Sequence, residues 1–202
     1  MDNLIRLKKV VKELSGMSDD DFELSAPYWQ FKTYQKGEFY NEYKNVCRYL
    51  GFVLTGFFRI YKYHEQTKTE KNMLFFSANQ FMSSFKSFLS QLSCEYYTES
   101  MTEADILYIH YDHLQMLYRT SPAWERFGRL FAEAALHMVM TNTEGFLFQK
   151  PEERYQTLLE VHPDIFQFIP LYHIASYLGI EGPSLSRIRK RVQQKEKESR
   201  LV

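Results

Sequence analysis

The chain has 202 residues, with 25 basic and 25 acidic side chains and a formal net charge of zero. That balance excludes a protein that coats nucleic acid through bulk charge, while leaving room for a local basic patch. The length suits one large or two small domains, and 17 Phe and 15 Tyr supply rings for a well-filled core.

The two cysteines, Cys47 and Cys94, are too few for a disulfide framework and read as reduced thiols of a cytoplasmic protein. The stretch from Met1 to Lys9 is amphipathic, without the unbroken apolar segment of a signal peptide. No run is long and apolar enough to span a bilayer. The expectation is a soluble chain with no membrane partner.

In chain order, Leu4, Leu7, Val11 and Leu14 recur at helical spacing, with Gly16 as a stop. Ser18-Asp19-Asp20-Asp21-Phe22 predicts a new cap and a short second helix. From about Phe31 to Ile109 the pattern changes to short aromatic and β-branched runs broken by polar turns. Examples are Phe31–Tyr34, Tyr49–Thr55, Phe57–Tyr63, Lys71–Phe76 and Ile106–Ile109. Many short strands with regular turns predict a compact sandwich or rolled-up barrel.

A long helix follows, over about residues 112–149. Trp124, Phe127, Phe131, Ala134, Met138, Thr141, Gly145 and Phe148 fall at alternating three- and four-residue steps, a heptad pattern. The sharper reading is a two-stranded coiled coil that pairs two subunits through Trp124, Phe127, Phe131, Ala134, Met138 and Thr141. The plainer one is a helix packed only on its own β-domain. Pro151 with Glu152 and Glu153 opens a further helix, which places a domain boundary near Lys150: residues 1–150 and 151–202. His162-Pro163-Asp164 ends that helix, Phe166, Phe168 and Ile169 pin the small C-terminal domain, and the charged tail from Gln193 is expected to fray.

Leu171–Leu178, Gly179 and Gly182–Arg191 read as a helix-turn-helix, a unit whose second helix enters the DNA major groove. Ile174, Leu178, Ile180, Leu185 and Ile188 close its core, Gly179 takes the turn, and Pro183 suits a first helical turn. From Gly182 to Lys195 stand Arg187, Arg189, Lys190, Arg191 and Lys195, with no acid among them. Such a run is ordinarily a solvated face; on a recognition helix it is a DNA contact surface. Arg187 is expected at a base edge, Ser184 and Ser186 at bases or phosphates, and Arg189, Lys190 and Arg191 at the backbone. Tyr172 and His173 are candidates for phosphate, with His173 better read as a surface or capping histidine.

Enzyme chemistry finds no support. His64, His110, His113, His137, His162 and His173 form no His-Glu-x-x-His pattern, and the chain has no phosphate-cradling glycine loop and no Gly-x-Ser-x-Gly elbow. No metal or cofactor is expected. The phenylalanines 75, 76, 81, 85 and 88 admit a small apolar effector with Arg59, Tyr96 or Tyr97 as polar anchors, or are simply core.

With this order of parts the chain resembles the Crp/Fnr family of bacterial transcription regulators. The resemblance is carried by Glu153-Arg154-Tyr155, Ile174 to Ile180 and Leu185 to Lys190, with fainter echoes at Gly37-Glu38, Leu54 to Arg59 and Phe81 to Ser84. It implies an α+β fold: an N-terminal double-stranded β-helix, jelly-roll-like and similar to cyclic-nucleotide-binding domains, then a long dimerisation helix, then a C-terminal winged helix-turn-helix. It also implies a homodimer on two-fold symmetric double-stranded DNA, RNA polymerase as a further partner, and an effector pocket around Arg59, Phe81, Ser83, Ser84, Tyr96 and Tyr97. Relatives that bind cyclic nucleotides hold the phosphate with a Gly-Glu step and an Arg-Ser or Arg-Thr pair. Ser83-Ser84 and Cys94-Glu95 stand there instead, which removes the phosphate's counter-charge. Cyclic AMP or GMP is therefore not expected in the usual way. Gly182 and Pro183 replace the family's early base-readers, so a different DNA sequence is expected. The alternative is a ligand-sensing or protein-interaction module whose helix-turn-helix is vestigial.

Overall fold

The computed structural model describes residues 2–199, with side chains over residues 3–194. Helix α1 (Asp2–Ser15) buries Leu7 and Val11 completely and stops at Gly16, which takes φ of +69°. Helix α2 (Asp19–Glu23) starts from a reciprocal capping box between Ser18 and Asp21.

Eight strands follow: β1 (Gln30–Tyr34), β2 (Phe39–Asn41), β3 (Tyr49–Val53), β4 (Phe58–His64), β5 (Thr69–Phe76), β6 (Phe81–Met82), β7 (Tyr97–Ser100) and β8 (Ala104–His110), with helix α3 (Phe85–Ser90) between β6 and β7. They form two antiparallel sheets in the orders β1-β8-β3-β6 and β2-β7-β4-β5. This is the rolled-up arrangement expected of the aromatic runs. Tyr34, Val53, Phe58, Ile60, Phe76, Met82 and Ile106 fill the space between the sheets. Strands β2, β6 and β7 and helix α3 were not legible, being two to six residues long without apolar alternation.

The predicted helix over 112–149 is two helices, α4 (Tyr111–Thr120) and α5 (Pro122–Phe148). Pro122 has no N–H to continue α4, and the Ser121 hydroxyl accepts from the Trp124 amide to start α5. The pairing seam is corrected at its first two residues. Trp124 and Phe127 are fully buried within their own chain, against Phe22 and Phe81, and Trp124 Nε1 donates to the Asp21 carbonyl at 2.8 Å. Neither has surface left for a second subunit. Phe131 stacks on Phe127 and meets Phe81 and Phe85, while Ala134, Met138 and Thr141 line a cavity of the same chain. At about 100° per residue the opposite side of α5 carries Leu136, Val139, Met140, Thr143 and Leu147. All five are exposed, Leu136 at 61% and Leu147 at 69%.

Helices α6 (Pro151–Val161), α7 (Ile165–Phe168), α8 (Leu171–Leu178) and α9 (Gly182–Ser199) complete the chain. Their shared core of Tyr155, Leu158, Ile165, Ile174, Leu178, Leu185 and Ile188 includes Phe57, Phe75 and Met101 of the β-roll. The expected wing is not found: among the described residues no strand follows β8. The tail expected to fray from Gln193 is helical through Ser199, and residues 200–202 lie outside the described residues.

Gly56 turns the chain between β3 and β4 at φ of +83°, where an added Cβ would lie 2.5 Å from Ala104 Cβ and 2.6 Å from the Glu103 carbonyl. Gly56→Ala is expected to cost about 2–4 kcal/mol, against about 1 kcal/mol for Gly16→Ala, which has open space at a similar φ. Urea midpoints of the two variants measure the difference.

Candidate nucleic-acid interface

Gly179 ends α8 at φ of +68°, and its amide and that of Ile180 are taken by the carbonyls of Ser176 and Ala175. Three residues later α9 begins, its first amides bonded to the Glu181 carbonyl. Leu185, Ile188 and Val192 point into the core, against Ile174 and Leu178. Helical spacing then leaves Pro183, Ser186, Arg187, Lys190 and Arg191 together on an exposed face.

The predicted contact residues do not share one environment. Ser186 Oγ donates to the Gly182 carbonyl, and Arg187 Nε donates to the Pro183 carbonyl at 3.3 Å. Arg191 lies 3.5 Å from Glu152 of α6, and its head stays exposed. Ser184 is half-buried. Arg189 is turned away from the open face, its guanidinium 4.7 Å over the Phe166 ring. The side chain of Lys195 lies outside the described residues. Tyr172 is exposed at 66%.

His173 departs from its expected role, being neither at the surface nor a cap. It is 5% exposed, and its Nδ1 accepts from Arg59 Nη1 at 2.8 Å. Arg59, expected to anchor an effector, is instead 4% exposed at the centre of a polar cluster that ties α8 to the β-roll. Its guanidinium donates to Glu99 at 2.6 Å and to Glu70 at 2.5 Å, and lies 3.8 Å over the Tyr61 ring. Asn72 donates to the His173 carbonyl at 3.2 Å, and Ser176 Oγ donates to the Glu70 carbonyl at 2.9 Å. Residues of β4, β5, β7 and α8 thus meet around one cation. Sequence reasoning missed Glu70, Asn72, Glu99 and Ser176; the signal was an arginine inside the apolar run Phe57–Tyr61.

The other expected effector residues are scattered. Phe81 packs on Phe52, Phe127 and Phe131. Ser83 Oγ donates to the Tyr49 carbonyl beside Cys47 Sγ, and Ser84 pairs with Thr98. Tyr97 stacks on Tyr61 and Tyr43. Tyr96 lines a separate small pocket with Lys86, Cys94 and Glu95. Glu95 pairs with Lys86 at 3.3 Å, so the acid beside Cys94 takes the nearest cation for itself. Burial pushes the Cys47 thiol up, as expected of an inert core thiol. Among the described residues no group of three His, Cys, Asp or Glu is placed to hold a metal ion, and no helix is long and apolar enough to cross a membrane.

No family model matches the chain, and no curated protein matches it by sequence. Its fold is shared with solved structures. FixK2 from Bradyrhizobium japonicum aligns with TM-score 0.69 at 17% identity, over 83% of this chain and 86% of that one. A CooA variant from Carboxydothermus hydrogenoformans aligns with TM-score 0.64 at 15% identity, over 92% and 84%. The catabolite activator protein of Thermus thermophilus aligns with TM-score 0.55 at 16% identity, over 93% and 88%. The chain therefore shares the fold of these structures, with antiparallel sheets followed by a long helix.

Burial holds the imidazoles of His173 and His162 down to about 4 from an ordinary 6.5, and the Arg59 charge adds to the effect at His173. Because the folded values lie below the unfolded one, the folded chain binds fewer protons between pH 6.5 and 4. Stability is full above pH 6.5 and is lost as pH falls through that window. Thermal unfolding midpoints are expected to drop between pH 6.5 and 4.5. His173→Gln, which keeps an acceptor for Arg59, should flatten part of that slope; an unchanged slope would mean His173 is not buried neutral.

Proposed function

We propose that the protein is a sequence-specific DNA-binding transcription regulator that acts as a cytoplasmic homodimer and is not controlled by cyclic nucleotides. The observation that carries this reading is the open face of α9, where Ser186, Arg187, Lys190 and Arg191 stand together beyond a tight glycine turn. An exposed helix face with cations at its centre suits a major groove, where arginine recognises a guanine edge with two donors. The likeness of fold to FixK2 and the Thermus thermophilus activator supports the same reading. Double-stranded DNA is the first partner, and RNA polymerase the expected second.

The exposed stripe Leu136, Val139, Met140, Thr143 and Leu147 is the pairing surface of this reading, in place of the buried aromatic face of α5. Leu136, Met140, Thr143 and Leu147 fall at steps of four, three and four, with Val139 beside them, which suits a two-stranded seam. The reading against cyclic nucleotides rests on Ser83, Ser84 and Cys94: all three are buried, and both hydroxyls bond within the chain. The alternative of a vestigial helix-turn-helix gains nothing from the exposed cations of α9.

Selection of bound sequences from a random duplex pool tests the function. A two-fold symmetric motif is expected, while a pool that stays random at low and physiological salt would rule the reading out. Arg187→Ala should weaken the selected site by about 1–3 kcal/mol and relax preference at one base position, whereas Lys190→Ala should weaken all sequences evenly. For the dimer, Leu136→Glu with Met140→Glu should give a monomer in sedimentation, while Met138→Gln leaves the mass unchanged. A pair variant that stays dimeric would move the seam elsewhere.

A further inference from the structure

Between α5, the β5–β6 region and helices α6 and α8 lies a cavity of about 270 Å³. Rings and small side chains line most of it, among them Phe81, Phe131, Met138, Phe146 and Tyr177. The volume holds on the order of a dozen non-hydrogen atoms. Of the residues expected around an effector, Phe75, Phe76, Phe81 and Phe85 line it, whereas the expected polar partners Arg59, Ser83, Ser84, Tyr96 and Tyr97 do not.

The charge of the lining is one-sided. Among the described residues lining the cavity there is no carboxylate, and Arg154 is its one permanently charged group. Burial keeps the neighbouring His162 neutral at ordinary pH. No acidic side chain among the described residues pairs with Arg154. Its guanidinium donates to backbone carbonyls: Nη1 to Gln149 at 2.7 Å and Gly145 at 3.5 Å, at the end of α5, and Nε and Nη2 to Leu178 at 3.2 and 2.9 Å, at the end of α8. Arg154 therefore ties the C-terminus of α5 to the C-terminus of α8, one residue before the Gly179 turn. Four of its five N–H donors make these carbonyl bonds, and the fifth, on Nη2, is the capacity left to meet an anion. A cation in the cavity would be repelled, and a purely apolar molecule would leave that capacity unused.

We propose that this cavity is the binding site of a small, mainly apolar carboxylic acid, and that its occupant loosens the Arg154 tie between α5 and α8. The carboxylate meets the unused donor first and, as a charged acceptor whose bond is roughly twice as strong, draws the guanidinium off the Leu178 and Gln149 carbonyls. The apolar body displaces poorly bound water from the aromatic wall. Helices α8 and α9 then move relative to α5. The regulatory meaning of that movement rests on the DNA-binding reading; the site and the tie do not.

The test uses the full chain and needs no DNA, so its failure is separate from failure of the regulator reading. Octanoate and octan-1-ol are titrated by calorimetry. Saturable octanoate binding, about tenfold tighter than the alcohol, is expected. Arg154→Met should remove the preference for the acid, and Arg154→Lys, which keeps the charge, should retain it. Ala134→Trp, which fills the cavity from an exposed position on α5, should abolish binding of both at an unchanged unfolding midpoint. Amide hydrogen exchange over residues 171–181 should speed up on saturation with octanoate. Absence of octanoate binding, equal affinity for acid and alcohol, or binding that survives Ala134→Trp would overturn the site. Unchanged exchange in the saturated protein would overturn the loosening.

Discussion

A buried guanidinium is expensive in an apolar interior unless every donor finds an acceptor, and the placement of the C-terminal helices follows from how Arg59 meets that demand. Two carboxylates come from β5 and β7, a ring from β4 lies beneath, and the remaining acceptors are the Asn72 amide oxygen of β5 and an imidazole on α8. Apolar contacts around Phe57, Phe75 and Met101 hold α8 near the roll but are non-directional. The polar cluster makes the position of α8 specific, because a shift of about 1 Å would strand a charge. The same contact sets the protonation of His173: two donors, from Arg59 and Asn72, converge on Nδ1, which leaves no room for a proton there.

Helix α5 has two apolar sides with different duties. The side bearing Trp124, Phe127 and Phe131 is sealed against α1, Phe22 and Phe81, and sets the angle at which the helix leaves the roll. The other side, around Leu136 and Leu147, has no cover among the described residues. Between them the cavity face of Ala134, Met138 and Thr141 runs on to Phe146, which reaches the Gly179 turn. One helix thus touches the roll, the cavity and the turn between α8 and α9 in sequence along its length.

This explains where the sequence was legible and where it was not. Strong local signals survived: the Ser18 cap, the strands with aromatic runs, Pro151 at the start of α6, and Gly179 at positive φ. Trp124 and Phe127 do not belong to an open seam; a heptad pattern records that a side is apolar without recording what covers it. Trp124 and Met138 fall on one stripe yet meet different neighbours. The split at Ser121 was available from Pro122. The wing followed from resemblance rather than residues, and α9 continues as helix where it was expected. Arg59 was noticed but given a ligand as partner, because Glu70 and Glu99 come from strands remote in sequence, and His173 from further still. Long-range polar pairing leaves no period to read.

The close approach of Phe146 to Gly179, 3.3 Å from where a side chain would begin, has a mechanical consequence. It is a pivot at one end of α9, whose 18 residues extend about 27 Å beyond the turn. A rotation of about 10° at the pivot sweeps the far end of the helix by about 5 Å, more than the roughly 3.4 Å rise between base pairs. On the proposed DNA-binding reading, sub-ångström adjustments where α5 meets the turn are therefore geared up, at the distal end of α9, into a change of register along the duplex.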